Sequence, residues 1–314
     1  YIKVYLRVTI YMKEQINENN YSAVALGFFD GIHQGHRAVI GKMIKVANEK
    51  SLTPIVYTFQ KNPALLFGRS VEIITPNEER QLILKNMGVS KVIEDDFLTV
   101  KDYLPREFVK KILVEKLNAK EVFCGFNYHF GKGGVADHNT LKEICKEFSI
   151  NVTVTDQVVV DGDTVSSTRI RKLIKNGEME EVNKLLGHRF GYTSVIEQGN
   201  HIGRLMDTPT INQKLPDNIA IPKFGVYTSL VTIKGKQYAG VTNVGVKPTV
   251  GNYKPLSETW LPKYNGPDLY GEVIDTRLLC FQRPEKKFDS LAELEKTIKN
   301  DGKNALINIK KYIC

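Results

Sequence analysis

Val24-Ala25-Leu26-Gly27-Phe28-Phe29-Asp30-Gly31-Ile32-His33-Gln34-Gly35-His36 reads as an apolar strand, a glycine-rich turn and the opening of a helix. Val39, Ile40, Met43, Ile44, Val46 and Ala47 follow with helical apolar spacing. A buried strand that ends in glycines and opens onto a helix N-terminus is an anion site. The first N–H groups of the helix lack intrahelical partners, and its dipole favours negative charge. The helix is expected over residues 35–50, with the histidines of His33-x-x-His36 sharing one face at its start. The stretch as a whole points to the phosphate of a nucleotide.

Working outward, residues 1–12 alternate enough for a strand and 13–20 are a polar loop. Downstream, strands are expected over 54–59, 89–94, 121–124 and 151–155. Helices alternate with them. Thr75 can cap one, with Pro76 at its first position, Glu78 completing a capping box and Gly88 stopping it. A second covers 104–118, with Phe108, Ile112, Leu113 and Leu117 on one face, and a third covers 141–148. Such alternation means a parallel sheet with helices on both sides, in which ligands bind at the carboxyl ends of the strands. A hairpin around Asp161-Gly162 and short helices over 168–175 and 178–186 close this half.

After Gly187 helical periodicity disappears. Strands are expected over 192–197, 225–233, 237–244 and 269–279, separated by Gly, Pro and Asn clusters, with a closing helix over 289–299. Many short strands with such turns suggest a small barrel. The expected domains are therefore 1–187, α/β and Rossmann-like, and 188–314, a small β-barrel with a closing helix.

Composition narrows the class. In 314 residues, 42% are hydrophobic and 25% charged, which is ordinary for a globular protein. No apolar run is long enough to span a bilayer and no signal-peptide pattern is visible. Cys124, Cys145, Cys280 and Cys314 form no CxxC or zinc spacing, so reduced thiols in a cytoplasmic protein are expected. The net charge of +9 is spread over scattered Lys and Arg. That distribution suits polyanionic small molecules better than nucleic acid, and no membrane partner is expected. Self-association stays open.

Two more loops belong with the opening stretch. Gly125-Phe126-Asn127-Tyr128-His129-Phe130-Gly131 follows a strand, and Ser166-Ser167-Thr168-x-Ile170-Arg171 opens a helix. The hydroxyls suit either a plain N-cap or a phosphate contact, and Arg171 could clamp a phosphate bidentately. Together the three segments resemble the adenylyltransferase module of the bacterial bifunctional riboflavin kinase/FMN adenylyltransferases, an HxGH-type nucleotidyltransferase. The first motif is carried by Gly27, Phe29, Asp30, Gly31, His33, Gly35 and His36. The second is carried by Gly125, Asn127, Phe130 and Gly131, and the third by Ser166, Ser167, Thr168, Ile170 and Arg171. The resemblance implies transfer of AMP from ATP to the phosphate of FMN. His33 and His36 would then donate to ATP phosphates, Arg171 would balance the pyrophosphate and Asn127 would hold the α-phosphate or FMN phosphate. Mg²⁺ would bridge phosphates.

The second half carries Gly199-x-x-x-Gly203-Arg204-x-x-x-x-Pro209-Thr210-Ile211-Asn212. Its glycines allow backbone to approach a phosphate, and Thr210 and Asn212, two apart on an extended segment, face one way and could hold Mg²⁺. Gly225-Val226-Tyr227, Asn243-x-Gly245-x-x-Pro248-Thr249 and Glu258-Thr259 follow in order. This set resembles the riboflavin kinase module of the same family. It implies phosphorylation of the riboflavin 5′-hydroxyl by ATP, with Glu258 as the proton acceptor. Asp207, where the family usually has Gly, Ile211, where it often has Ala, and Trp260, where it usually has His, depart from the pattern. Asp207 motivates an alternative, an adenylyltransferase whose kinase half is weak or inactive.

Overall fold

The computed structural model describes residues 21–68, 71–198, 208–246 and 255–312. The strand expected over 1–12, the residues Gly199, Gly203, Arg204 and Asp207, the Pro248-Thr249 pair and Cys314 lie outside the described residues.

Two compact units emerge. Within the described residues, the first comprises 21–28, 36–63 and 81–157. The second comprises 29–35, 64–80 and 158–312. The first unit holds a parallel sheet of β1 (Ser22–Leu26), β2 (Thr53–Phe59), β3 (Lys91–Asp95), β4 (Ala119–Gly125) and β5 (Asn151–Thr155), ordered β3-β2-β1-β4-β5. β1 lies at the centre and is buried at every position, including Ser22, whose hydroxyl donates to the Leu117 carbonyl at 2.5 Å. That explains its uninterrupted small and apolar run: a central parallel strand has no solvent face. Strand order reverses between β1 and β4, so their carboxyl ends, at Gly27 and beyond Gly125, flank the crevice where such sheets take ligands.

Helix α1 (Gln34–Glu49) starts one residue before its expected position; His33 lies immediately before it in non-helical backbone, while His36 stands in its first turn. Helix α2 (Asn77–Asn86) starts one residue beyond Pro76, whose carbonyl accepts from Arg80 N–H at 2.9 Å. The Thr75 backbone N–H donates to Asp30, which ties this helix start to the glycine turn. A four-residue helix, α3 (Phe97–Val100), was not anticipated. Helix α4 (Pro105–Phe108) runs into π-turns over Val109–Lys116, with Leu117 N–H bonded to Ile112 O. Nine residues make about two and a half α-turns, which would set Phe108 and Leu117 on opposite faces. The wider π-turns let both enter the core with Ile112 and Leu113. Helix α5 (His138–Glu147) is capped by Asp137.

In the second unit a short hairpin, β6 (Val159–Val160) and β7 (Asp163–Thr164), leads to α6 (Ser167–Asn176) and α7 (Met179–Leu186). The barrel follows: β8 (Gly191–Glu197), β9 (Thr210–Lys214), β10 (Gly225–Ile233), β11 (Lys236–Val246), β12 (Pro255–Trp260) and β13 (Val273–Arg283). It closes in the order β10-β11-β12-β9-β8-β13. Gln213 reaches from β9 across β8 to β13, donating to Ile274 O at 2.8 Å and accepting from Thr276 Oγ1 at 2.7 Å. Its side chain therefore lies inside the barrel, as does that of Ser257, its register partner. Thr242 joins Ser229 and Thr259 by 2.7 and 2.8 Å contacts in the same buried layer. By alternation Asn212 and Glu258 face outward. Helix α8 (Leu291–Asn308) covers part of that outer face, where Ala305 meets Val226, Val241 and Trp260.

Candidate active sites

The glycine turn of the second unit is strained and heavily tied. Phe29, Gly31 and Ile32 have φ of 56°, 83° and 40°. The left-handed region costs Gly31 little but is unfavourable for a β-branched Ile. A Cβ at Gly31 would also stand 3.1 Å from Ile74 and 3.2 Å from Leu186. Asp30, almost fully buried, holds the turn in place. Its Oδ1 accepts from Ile74 N–H at 2.9 Å and Thr75 N–H at 3.2 Å, and its Oδ2 pairs with Arg171 Nη2 at 2.5 Å. Burial pushes the Asp30 carboxyl above its ordinary value, while Arg171 and the two N–H groups pull it back. Ser167 Oγ donates to Asp30 O at 3.1 Å, His188 Nε2 to Gly31 O at 2.9 Å and Gln34 Nε2 to Lys184 O at 2.6 Å.

These bonds alter what the sequence suggested. The Asp30 carboxylate is turned inward, so a phosphate contact at this residue would come from backbone. Arg171 is not a free clamp: beyond Asp30, its Nε donates to Glu72 O at 2.6 Å. Ser166 is the N-cap of α6, accepting from Arg169 N–H at 3.2 Å. The Ser167 hydroxyl donates its hydrogen bond to Asp30 O, while Thr168 stands exposed in the first turn. His33 is buried with its ring against Gly35, where a Cβ would lie 3.1 Å from Cε1. Burial, with a smaller push from the Arg171 charge, lowers its pKa to about 4. At neutral pH its imidazole is therefore uncharged.

Ile74, Thr75, Glu72, Lys184 and His188 were missed as parts of this site. Four of them contribute backbone groups, which no side-chain motif announces. His188 stood in the sequence as an isolated histidine after Gly187, with no spacing to flag it.

In the first unit, Gly27 N–H donates to Tyr57 O at 3.4 Å, and Thr58 Oγ1 to Phe28 O at 3.1 Å, which anchors the exit from β1. His36 sits half-buried in the first turn of α1. Asn127 is exposed just past β4, its Oδ1 folded back to 3.3 Å from where a Gly125 Cβ would be. Phe126 N–H donates to Thr155 O at 3.0 Å and ties this loop to β5.

On the barrel's outer face Glu258 stands in register between Asn212 of β9 and Asn243 of β11, and Thr210 stands opposite Trp260. Directly opposed residues have Cβ atoms about 5 Å apart. Thr210, Asn212 and Glu258 therefore gather in one small patch, although they are 48 residues apart at most in the chain. Asn243 Nδ2 also approaches Glu285 Oε1 at 3.4 Å. The donor set in this patch is hydroxyl, carboxamide and carboxylate oxygen, which fits Mg²⁺. Among the described residues no group of three or more His, Cys, Asp or Glu is placed to hold a metal by itself. Nor, among them, is any helix long and apolar enough to cross a membrane.

A doubly wound sheet opening through a glycine turn onto a helix, followed by a closed barrel with this oxygen-donor patch, defines a nucleotidyltransferase-type module joined to a flavokinase-type module. Residues 15–169 match the family model for FAD synthetase, and residues 186–308 match that for riboflavin kinase. The chain is 32% identical to the bifunctional riboflavin kinase/FMN adenylyltransferase of Listeria monocytogenes, covering 92% of this chain and 95% of that one. It is 31% identical to the protein of that name in Bacillus subtilis, over 91% and 92%. A crystal structure described as a macrolide-efflux protein from Streptococcus pneumoniae superposes with a TM-score of 0.83 at 30% identity, covering 91% and 94% of the two chains. The chain belongs to the bifunctional riboflavin kinase/FMN adenylyltransferase family.

Proposed function

We propose that this protein phosphorylates riboflavin to FMN at the barrel and transfers AMP from ATP to FMN at the glycine turn, releasing pyrophosphate. The observation that carries the reading is the presence of both family matches in one chain, the first spanning the glycine turn, Asn127 and Ser166–Thr168, the second spanning Thr210, Asn212 and Glu258. The functional modules divide at 187/188, between α7 and β8.

FMN brings its own nucleophile, a phosphate oxygen. It attacks the α-phosphorus of ATP and the bond to pyrophosphate breaks, so no strong base is required. The enzyme's task is alignment and neutralisation of phosphate charge. His36 and neutral His33 donate N–H bonds to ATP phosphates, the α1 N-terminus adds backbone donors, and Ser166 and Thr168 add hydroxyls. Asn127 holds the α-phosphate or the FMN phosphate.

The kinase step differs because its nucleophile is an alcohol. As the riboflavin 5′-oxygen bonds to the γ-phosphorus and ADP leaves, the hydroxyl proton passes to the Glu258 carboxylate. Thr210 and Asn212 would hold Mg²⁺, which would neutralise charge on the ATP phosphates. The register of Asn212 against Glu258 supports a proton acceptor placed beside the oxygen donors that would hold the metal.

The test is direct. Incubation with riboflavin, ATP and Mg²⁺, followed by separation of the flavins over time, should show FMN rising first and FAD after it. Supplied FMN should be converted to FAD without riboflavin. Absence of any flavin conversion would overturn the reading.

A further inference from the structure

We propose that Asp30 is a positioning residue of the adenylyl-transfer site, and that Arg171 acts on the glycine turn through Asp30 and not by touching the phosphates. The proposal rests on the adenylyltransferase reading above.

The geometry starts from the strain. A turn carrying Phe29 at φ 56° and Ile32 at φ 40° relaxes unless something over-determines it. Asp30 sits between those two residues and is bonded on both its ends. Its carboxylate takes two adjacent backbone N–H groups, at Ile74 and Thr75, which fixes the turn against the segment leading into α2. Its carbonyl takes the Ser167 hydroxyl at 3.1 Å, and its Oδ2 takes Arg171 at 2.5 Å.

The spacing of the third motif has a physical reason in this arrangement. Ser167 and Arg171 are i and i+4 on α6 and so lie on one helix face. One turn of helix therefore grips one residue at two points, carbonyl and carboxylate. The second arm of Arg171 reaches Glu72 O at 2.6 Å, two residues before Ile74. Arg171, Asp30 and the 72–75 backbone form a closed ring of bonds, and the Arg171 side chain is only 18% exposed within it. A guanidinium whose Nε and Nη2 are both engaged inside the protein is placed to lock a turn. His33 follows that turn by one residue, so the lock sets where its N–H points.

The test is a double-mutant cycle on FMN adenylylation: Asp30→Asn, Arg171→Met and the double variant, each assayed for kcat and for KM of ATP. Riboflavin phosphorylation by the same preparations reports whether the barrel is folded. Asp30→Asn keeps the shape of the side chain and an acceptor for Ile74 N–H but removes the charge. Each single variant is expected to lower kcat by on the order of 10²-fold, the scale of a small misplacement of reacting groups. KM for ATP should move less than about threefold, and the double variant should be no slower than the worse single one. If instead the losses multiply in the double variant, or Arg171→Met raises KM for ATP while Asp30→Asn does not, Arg171 contacts the nucleotide and the proposal is overturned. Amide hydrogen exchange gives a readout that needs no turnover. Exchange at Ile74 and Thr75 should quicken in both single variants, and unchanged protection there in Arg171→Met would overturn the proposal even if the wild-type protein converted no FMN.

Discussion

His33 shows how burial changes the meaning of a motif residue. As a string of letters, His33-x-x-His36 suggests two equivalent donors on one helix face. In the structure His33 lies just before α1 with its ring against Gly35, and its pKa falls from 6.5 to about 4. The sign of the pH effect follows. Between these values the unfolded chain binds a proton that the folded chain refuses, so stability is fully present above about 6.5 and is lost as pH falls toward 4. The difference of two and a half units corresponds to about 3 kcal/mol. Unfolding free energies of wild type and His33→Asn, measured from pH 7 to pH 4.5, should converge as pH falls. Parallel curves would show that His33 titrates normally. The motif's residue types were legible in the sequence because they are side chains in a fixed order. The partners that orient them were not, since Ile74 and Thr75 act through backbone N–H groups and Glu72 through a carbonyl.

At the scale of elements, legibility follows the solvent. Buried β1 and the parallel strands beside it were readable from apolar runs, and β5 lies where its pattern placed it. β12 was missed, and β9 was read only as an extended segment at Thr210–Asn212, because the barrel's interior layer there is Gln213, Ser257 and Thr259, while Asn212 and Glu258 face outward. With polar residues on both faces, no period-two alternation survives. Helix α8 runs to Asn308, well past the expected end at 299, because the Asp301-Gly302 pair reads as a stop but is buried against the barrel. Asp301 accepts from Arg283 Nη2 at 2.8 Å, and a Cβ at Gly302 would clash with Cζ3 of the Trp260 ring. Gly302→Ala thus sets two effects against each other. Helix propensity favours Ala by about 1 kcal/mol, while overpacking against a rigid indole costs about 1–3 kcal/mol. The clash should win, giving a net loss of about 1 kcal/mol and a lower denaturant midpoint. Trp260 is the single tryptophan of the chain, so its emission follows the transition at the site of the change. A variant more stable than wild type would mean that Trp260 has room to move aside.

For the whole molecule, two chemistries with different demands make the two activities separable by single substitutions. Removing a donor aimed at phosphate charge typically costs 10²–10³-fold, so His36→Ala should convert riboflavin to FMN at a normal rate and stop there. Removing a general base costs about 10²–10⁴-fold, so Glu258→Gln should make almost no FMN but should turn supplied FMN into FAD as fast as wild type. Neither change removes a large buried side chain, so thermal midpoints should stay near wild type. If both hold, an equal mixture of the two variants should carry riboflavin all the way to FAD, with FMN accumulating in solution before FAD appears. The lag follows because FMN made by one molecule must be released and captured by another. A Glu258→Gln protein that phosphorylates riboflavin normally would remove the carboxylate from the kinase step. A His36→Ala protein that loses both activities would mark His36 as a structural histidine. A mixture that yields only FMN, although each variant keeps its one activity alone, would show that FMN made at one site does not reach the other through solution.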